Sequence, residues 1–275
     1  MLLKKWGRDK QQNTLSPELE KNSKIINSQN GECFVIGNGP SLKRVNLNKL
    51  RDSYTITCNM FTRVFGYELI KSNAHVLADK IFFDDRDDVK YSKNELTRIW
   101  YDISKMNVPV FVPLYAKQYI IDNGINNMMD IYYLDILVNE IPDRNNNELK
   151  IDISKPINSY VNVVQFSIVL AMNMGFSRIN LLGCDTTGVF GLLNAAYENS
   201  DMQYHAYDDD DSKEVMRSIV EHNKISDSLY WESFNFLGFE RLYQLCFDRG
   251  IELVNLTDKT LIDGIPKEDG SRYYL

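Results

Sequence analysis

The sequence predicts an α/β fold, a doubly wound and mostly parallel sheet with a lid inserted near its C-terminal third. Three observations carry that expectation. Short apolar runs recur along the chain, and several are continuous rather than alternating, as strands buried on both faces of a parallel sheet would be. Helical stretches alternate with them, and two end in a glycine placed just before the next strand. The first run breaks into a glycine turn, Phe34 to Lys43 (FVIGNGPSLK), where Pro40 and Ser41 open a helix.

The elements follow in order. Residues 1–30 are polar and rich in Asn, Lys and Gln without a sustained period, which predicts a mobile tail with one short helix. Residues 31–275 are then expected to form a single Rossmann-like, nucleotide-binding catalytic domain. Its strands are expected at Cys33–Ile36, Tyr54–Cys58, His75–Ala78, Val108–Pro113, Ile179–Leu182 and Ile251–Asn255. The clearest helices are Val161–Met174, ended by Gly175, and Phe234–Asp248, ended by Gly250. Residues 186–232 break the alternation with aromatics, four consecutive acids (Asp208 to Asp211) and two of the three histidines, and read as a lid or as a surface insertion.

Composition bounds the partners. A net charge of -7 argues against a broad nucleic-acid surface. Cys33, Cys58, Cys184 and Cys246 lie far apart, in no zinc-ligand spacing, and fit a reduced, cytoplasmic setting. No run of about 18 apolar residues appears, and MLLKKWGRDKQQ lacks the apolar core of a secretory signal. Leu2, Leu3 and Trp6 beside Lys4, Lys5, Arg8 and Lys10 could touch an anionic membrane surface at the inner face, and a frayed terminus explains them equally.

In a doubly wound sheet, ligands gather at the carboxyl ends of the strands. Gly37 to Ser41, Asn59, Asp79 and Gly183 to Asp185 all fall there. Gly37 and Gly39 permit a tight turn and close approach to a phosphate, Asn38 is both donor and acceptor, and Ser41 can cap the helix or touch an oxyanion. The turn could also do no more than let a helix pack closely. It lacks the Gly-Lys-Ser/Thr of a P-loop and the third glycine of a dinucleotide fingerprint. Asn59 could meet a sugar or base edge, or serve the turn. Asp185 could bind a hydroxyl, a metal or its own turn.

The lid supplies candidate chemistry. His205 could take a proton from an attacking hydroxyl, while Tyr204 and Tyr207 could donate to a phosphate leaving group. His222 competes for the base role, and His75, which opens an apolar strand, reads as structural. Asp84, Asp85, Asp87 and Asp88, with Asp208 to Asp211, could hold Mg²⁺ or form solvated faces. No residue is assigned as a metal ligand.

The stretches VIGNGPSL, TCN and MGFSRINLLGCD resemble a bacterial group that includes the family 42 sialyltransferases and the MptE-like (DUF115) proteins. The stretch GIELVNLTDKTLID (Gly250 to Asp263) is similar to the MptE-like pattern of a strand followed by Asn and Thr. The resemblance spans Cys33 to Pro266 and implies an inverting glycosyltransferase in surface polysaccharide or glycoconjugate assembly. The donor would be a nucleotide-activated, acidic sugar, and the acceptor a glycan or lipid-linked glycan. Asn38 and Asn59 would contact the nucleotide, and Asn158 and Ser159 stand where the sialyltransferases carry a Thr-Ser-Gly. The sialyltransferase catalytic histidine lies just before the last long helix, where this chain has Tyr230 and Trp231. No cofactor would be required. Two alternatives stand beside this: a 6-hydroxymethylpterin diphosphokinase using ATP and Mg²⁺, and a non-catalytic nucleotide-binding subunit of a glycan-assembly complex.

Overall fold

The computed structural model describes residues 16–84, 91–143, 148–190, 206 and 224–275. It opens with a short helix, α1 (Pro17–Glu20), running into a 3-10 turn at Lys21–Lys24. Leu19 is buried there, and the Asn22 amide donates to the carbonyls of Tyr133 (2.8 Å) and Ile153 (2.7 Å). Lys117 pairs with Glu18 and Lys21 with Asp130. Residues 16–30, expected within a mobile tail, are therefore docked, because they carry an apolar anchor and an amide that satisfies two carbonyls.

Strands β1 (Glu32–Ile36), β2 (Tyr54–Cys58) and β3 (Ala74–Val76) are linked by 3-10 turns. The turn Pro40–Arg44 takes the place of the helix expected after the glycine turn. Val45 leaves it extended and bridges Tyr274, which ends the coil after five residues. Next come α2 (Lys93–Ser104), β4 (Val110–Pro113), α3 (Lys117–Asp122), β5 (Ile131–Leu134) and a small parallel pair, β6 (Ile136–Leu137) and β7 (Ile157–Asn158). The apolar-run and glycine signals miss α2 because no glycine closes it. Asn107 takes the left-handed conformation there instead, with φ 51°.

Helix α4 (Val163–Met174) begins at an Asn162/Gln165 capping box and leads to β8 (Arg178–Leu182). After residue 206 the described part of the insertion resumes at Lys224, where α5 (Ile225–Asp248) begins, so the last residues of the expected lid are its first turns. Strand β9 (Glu252–Asn255) completes the main sheet. Its order is β5-β4-β3-β2-β1-β8-β9 with every pairing parallel. The chain starts in the middle, winds outward to β5, and returns on the other side of β1. This is the doubly wound α/β arrangement, with its switch point between β1 and β8.

Side chains alternate across the sheet. Cys33 and Val35 face the layer of α4 and α5, while Phe34 and Ile36 face the 3-10 turns and Tyr273. Residues Val164 to Met172 of α4 are all buried, so this helix has no solvated face. Gln165 Nε2 donates 2.6 Å to the Asn235 carbonyl of α5, and the missing side chain of Gly238 makes room for it. Among the described residues, no helix is long and apolar enough to cross a membrane.

Candidate functional site

At the switch point the loops after β1 and β8 lie against each other under a crevice of about 580 Å³. Gly37 N–H donates to the Leu182 carbonyl (2.8 Å) and Gly39 N–H to that of Gly183 (2.7 Å), extending the ladder beyond the strands. A Cβ on Gly39 would overlap the Asp185 carboxylate. That carboxylate accepts from Ser41 N–H (3.0 Å) and Ser41 Oγ (2.6 Å). The start of the Pro40–Arg44 turn is thus capped by the protein's own anion. Asp185 is buried, which pushes its carboxyl up despite the hydrogen bonds from Ser41.

The β8 loop is braced from behind. Cys184 N–H donates to Thr257 Oγ1 (3.0 Å), Thr260 Oγ1 to the Cys184 carbonyl (2.8 Å), and Leu261 N–H to the Asp185 carbonyl (3.0 Å). Asn255 holds the brace, accepting from Thr257 N–H and donating to Thr260 Oγ1. Thr186, next along the loop, is left-handed at φ 55°, a strained backbone for a β-branched residue.

Asn59, at the end of β2, is also left-handed (φ 46°). Its carbonyl lies 3.0 Å from Nε2 of His75, whose Nδ1 is 2.9 Å from Thr57 Oγ1. His75 is fully buried, which drives its imidazole down to about 4, so it is neutral: Nε2–H donates to Asn59, and Nδ1 accepts from Thr57. The role read for His75 from the sequence, structural rather than chemical, matches this geometry.

Buried polar atoms without a partner gather here. Among the described residues they are Asn22 Oδ1, Asn38 Oδ1, Thr55 Oγ1, Asn59 Oδ1, Tyr160 OH, Thr187 Oγ1 and Asn235 Oδ1, and all but Asn22 and Thr55 belong to residues lining the crevice. A buried group without a partner costs about 1–3 kcal/mol, so such a concentration makes the crevice a candidate place for ordered water or a ligand. Asn38 is fixed in orientation, since its Nδ2 donates 2.9 Å to the Cys58 carbonyl. Lys80 is the one cation lining the crevice among the described residues, 5.8 Å from the Tyr115 ring.

No family model matches the sequence, and no curated protein matches it significantly. Solved structures overlap it loosely. The sialyltransferase CstII from Campylobacter jejuni in complex with CMP-3FNeuAc is 14% identical, with a TM-score of 0.48 over 89% of this chain and 88% of that one. The monofunctional alpha-2,3-sialyltransferase Cst-I from the same organism is 15% identical, with a TM-score of 0.48 over 86% and 79%. CST-II with a trisaccharide acceptor and CMP is 15% identical, with a TM-score of 0.47 over 86% and 85%. Overlap at this level carries no argument about ligand or reaction.

Of the residues singled out from the sequence, Gly37, Asn38, Gly39, Asn59, Asp79, Ser159, Gly183 and Asp185 line this one crevice. Pro40 and Ser41 do not; Ser41 sits behind the loop, against Asp185. Asn158 lies off the crevice as well. Its Oδ1 accepts from Lys150 N–H (2.6 Å) and its Nδ2 donates to the Glu140 carbonyl (2.8 Å), so its amide staples two chain segments. Tyr204, His205, Tyr207, His222, Asp208 to Asp211, Asp85, Asp87 and Asp88 lie outside the described residues. Ala206 is described: it is buried, and its N–H donates 2.8 Å to the Asn38 carbonyl of the glycine loop.

Lining residues that the sequence signals miss include Lys80, Tyr160, Thr187, Glu232 and Asn235. Glu232 and Asn235 lie one turn apart on α5, a spacing that places them on one face but says nothing of what they face.

Proposed function

We propose that this chain is a glycosyltransferase that binds a nucleotide-activated sugar in the switch-point crevice and passes the sugar to a hydroxyl of a glycan or lipid-linked glycan. The observation that carries the reading is the set of unpartnered buried polar atoms around that crevice. A ligand rich in hydroxyls, with a base edge and a phosphate, supplies the missing partners. Asn38 and Asn59, the two positions the family resemblance assigns to the nucleotide, meet the nucleoside. Lys80 meets the phosphate or a sugar carboxylate, which favours an acidic sugar carried on CMP. Ser159 and Gly183 line the same cleft, and Asp185 shapes it by holding the glycine loop.

Tyr204 and Tyr207 donate to the departing phosphate in this reading. The proton of the attacking hydroxyl goes to a base, for which His205 and Glu232 are the candidates. Inversion at the anomeric carbon, turnover without a metal and a role in cytoplasmic surface-glycan assembly, with membrane contact through the N-terminus, complete the proposal.

Thermal unfolding with CMP, UDP, GDP and ATP, each with Mg²⁺ and with EDTA, tests it. CMP at about 100 times its Kd raises stability by about 2.7 kcal/mol. That gain is lost in Asn38→Ala and Asn59→Ala. Stabilisation by ATP with Mg²⁺ alone, with CMP and UDP inert, would overturn the proposal in favour of diphosphoryl transfer.

A further inference from the structure

Of the carboxylates lining the crevice, Asp185 is spent on Ser41, and Asp79 caps a 3-10 turn by accepting from Ile81 N–H. Among the described residues, Glu232, on α5, is held by one hydrogen bond, 3.0 Å from Asn235 Nδ2 to its Oε2. A side chain at Gly188, on the loop after β8, would start 3.3 Å from Glu232 Oε1, so a glycine there keeps this oxygen uncrowded.

Around Glu232 the crevice is built but incomplete. Asn235 is 6% exposed; with its Nδ2 turned to Glu232, its Oδ1 has no partner. Thr187 Oγ1, beside Gly188, is likewise buried and without one. The Asn235 backbone is clamped to α4 through Gln165, so the pair stands on a rigid base.

On the basis of the glycosyl-transfer reading, we propose that Glu232, Asn235 and Thr187 form the subsite of the attacking hydroxyl of a carbohydrate acceptor, and that Glu232 takes its proton. Neighbouring acceptor hydroxyls donate to Asn235 Oδ1 and share a hydrogen bond with Thr187 Oγ1. As the acceptor oxygen bonds to the anomeric carbon, its proton passes to the Glu232 carboxylate, which becomes a carboxylic acid. The bond from the anomeric carbon to the phosphate oxygen breaks, and the nucleotide leaves with the electron pair. Glu232 then returns the proton to water. Asn235 is a positioning residue: it aims the carboxylate and fixes the acceptor.

The full chain and its Glu232→Gln, Glu232→Asp and Asn235→Ala variants are assayed with CMP-N-acetylneuraminate as donor and lactose as acceptor, and CMP affinity is measured by calorimetry. Glu232→Gln binds CMP within about twofold of the parent but transfers at least about 100-fold more slowly, and the acid limb of its kcat/KM profile disappears. Glu232→Asp recovers part of the rate, and Asn235→Ala raises KM for lactose as well as lowering kcat. Transfer by Glu232→Gln within about threefold of the parent, with an unchanged pH profile, overturns the assignment. A parent protein that neither binds CMP nor releases it from the donor removes the transfer reading itself, a result distinct from an active parent with an equally active variant.

Discussion

Gly37 and Gly183 face each other across the switch point so closely that a Cβ on Gly37 would stand 2.5 Å from the Gly183 carbonyl oxygen, and one on Gly183 would stand 2.6 Å from that of Gly37. The obstruction is backbone on both sides, so neither loop can yield without breaking the hydrogen bonds that extend the ladder. Gly37→Ala and Gly183→Ala are each expected to cost about 2–4 kcal/mol. Gly183→Ala is the worse of the two, because φ there is +65°. Urea midpoints measure the effect, and an alanine at either position with unchanged stability would contradict the packing described.

Asp185 acts as an internal cap. Removing it leaves the Ser41 N–H and hydroxyl buried without an acceptor. Asp185→Ala is expected to destabilise by about 2–4 kcal/mol. Ser41→Ala removes one of the two bonds and should cost less. Equal losses in the two variants, read by chemical unfolding, would argue against the cap.

The left-handed Thr186 stores strain beside the crevice. Glycine relieves about 1–2 kcal/mol of it and adds about 0.5–1 kcal/mol of unfolded-state entropy. Thr186→Gly should therefore range from no change to about 1.5 kcal/mol more stable. A destabilised Thr186→Gly protein would show that the conformation carries no strain.

The buried imidazole of His75 makes stability depend on pH. Its pKa is lowered from 6.5 to about 4 in the fold, so between those values the unfolded chain takes up a proton that the native protein does not. Its contribution is complete above about pH 6.5 and falls away as pH drops toward 4, by about 3 kcal/mol in all. In a His75→Gln protein this part of the decline vanishes. Unfolding free energies of the two proteins from pH 7 to pH 4 should converge by that amount, and parallel curves would refute it.

Much of this was legible in the sequence. Tyr54–Cys58 is the strand expected there residue for residue, because strands buried on both faces leave an unbroken apolar signal. Gly175 and Gly250 follow helices α4 and α5 in left-handed conformation, as expected. The strand-end residues Asn38, Asn59 and Asp185 converge because parallel strands share one carboxyl edge. Other features depended on contacts between segments distant in sequence. Asn158 sits beside Ser159 and resembles it as a site candidate, yet its amide is consumed by Lys150 and Glu140, ten or more residues from it only in the latter case. Glu232 and Asn235 reach the crevice only because α5 begins at Ile225 and packs on α4, and neither fact is written in a local pattern.

The brace behind the β8 loop ties the site to the order in which the chain is made. Thr257, Thr260 and Leu261 hold Cys184 and Asp185, and Tyr273, Tyr274 and Leu275 close against Arg44, Val45 and Asn46 beneath the glycine loop. A ribosome that has delivered every strand through β8 has therefore not yet delivered the segment that braces the β8 loop. The floor of the crevice sets only when the segment after β9 arrives.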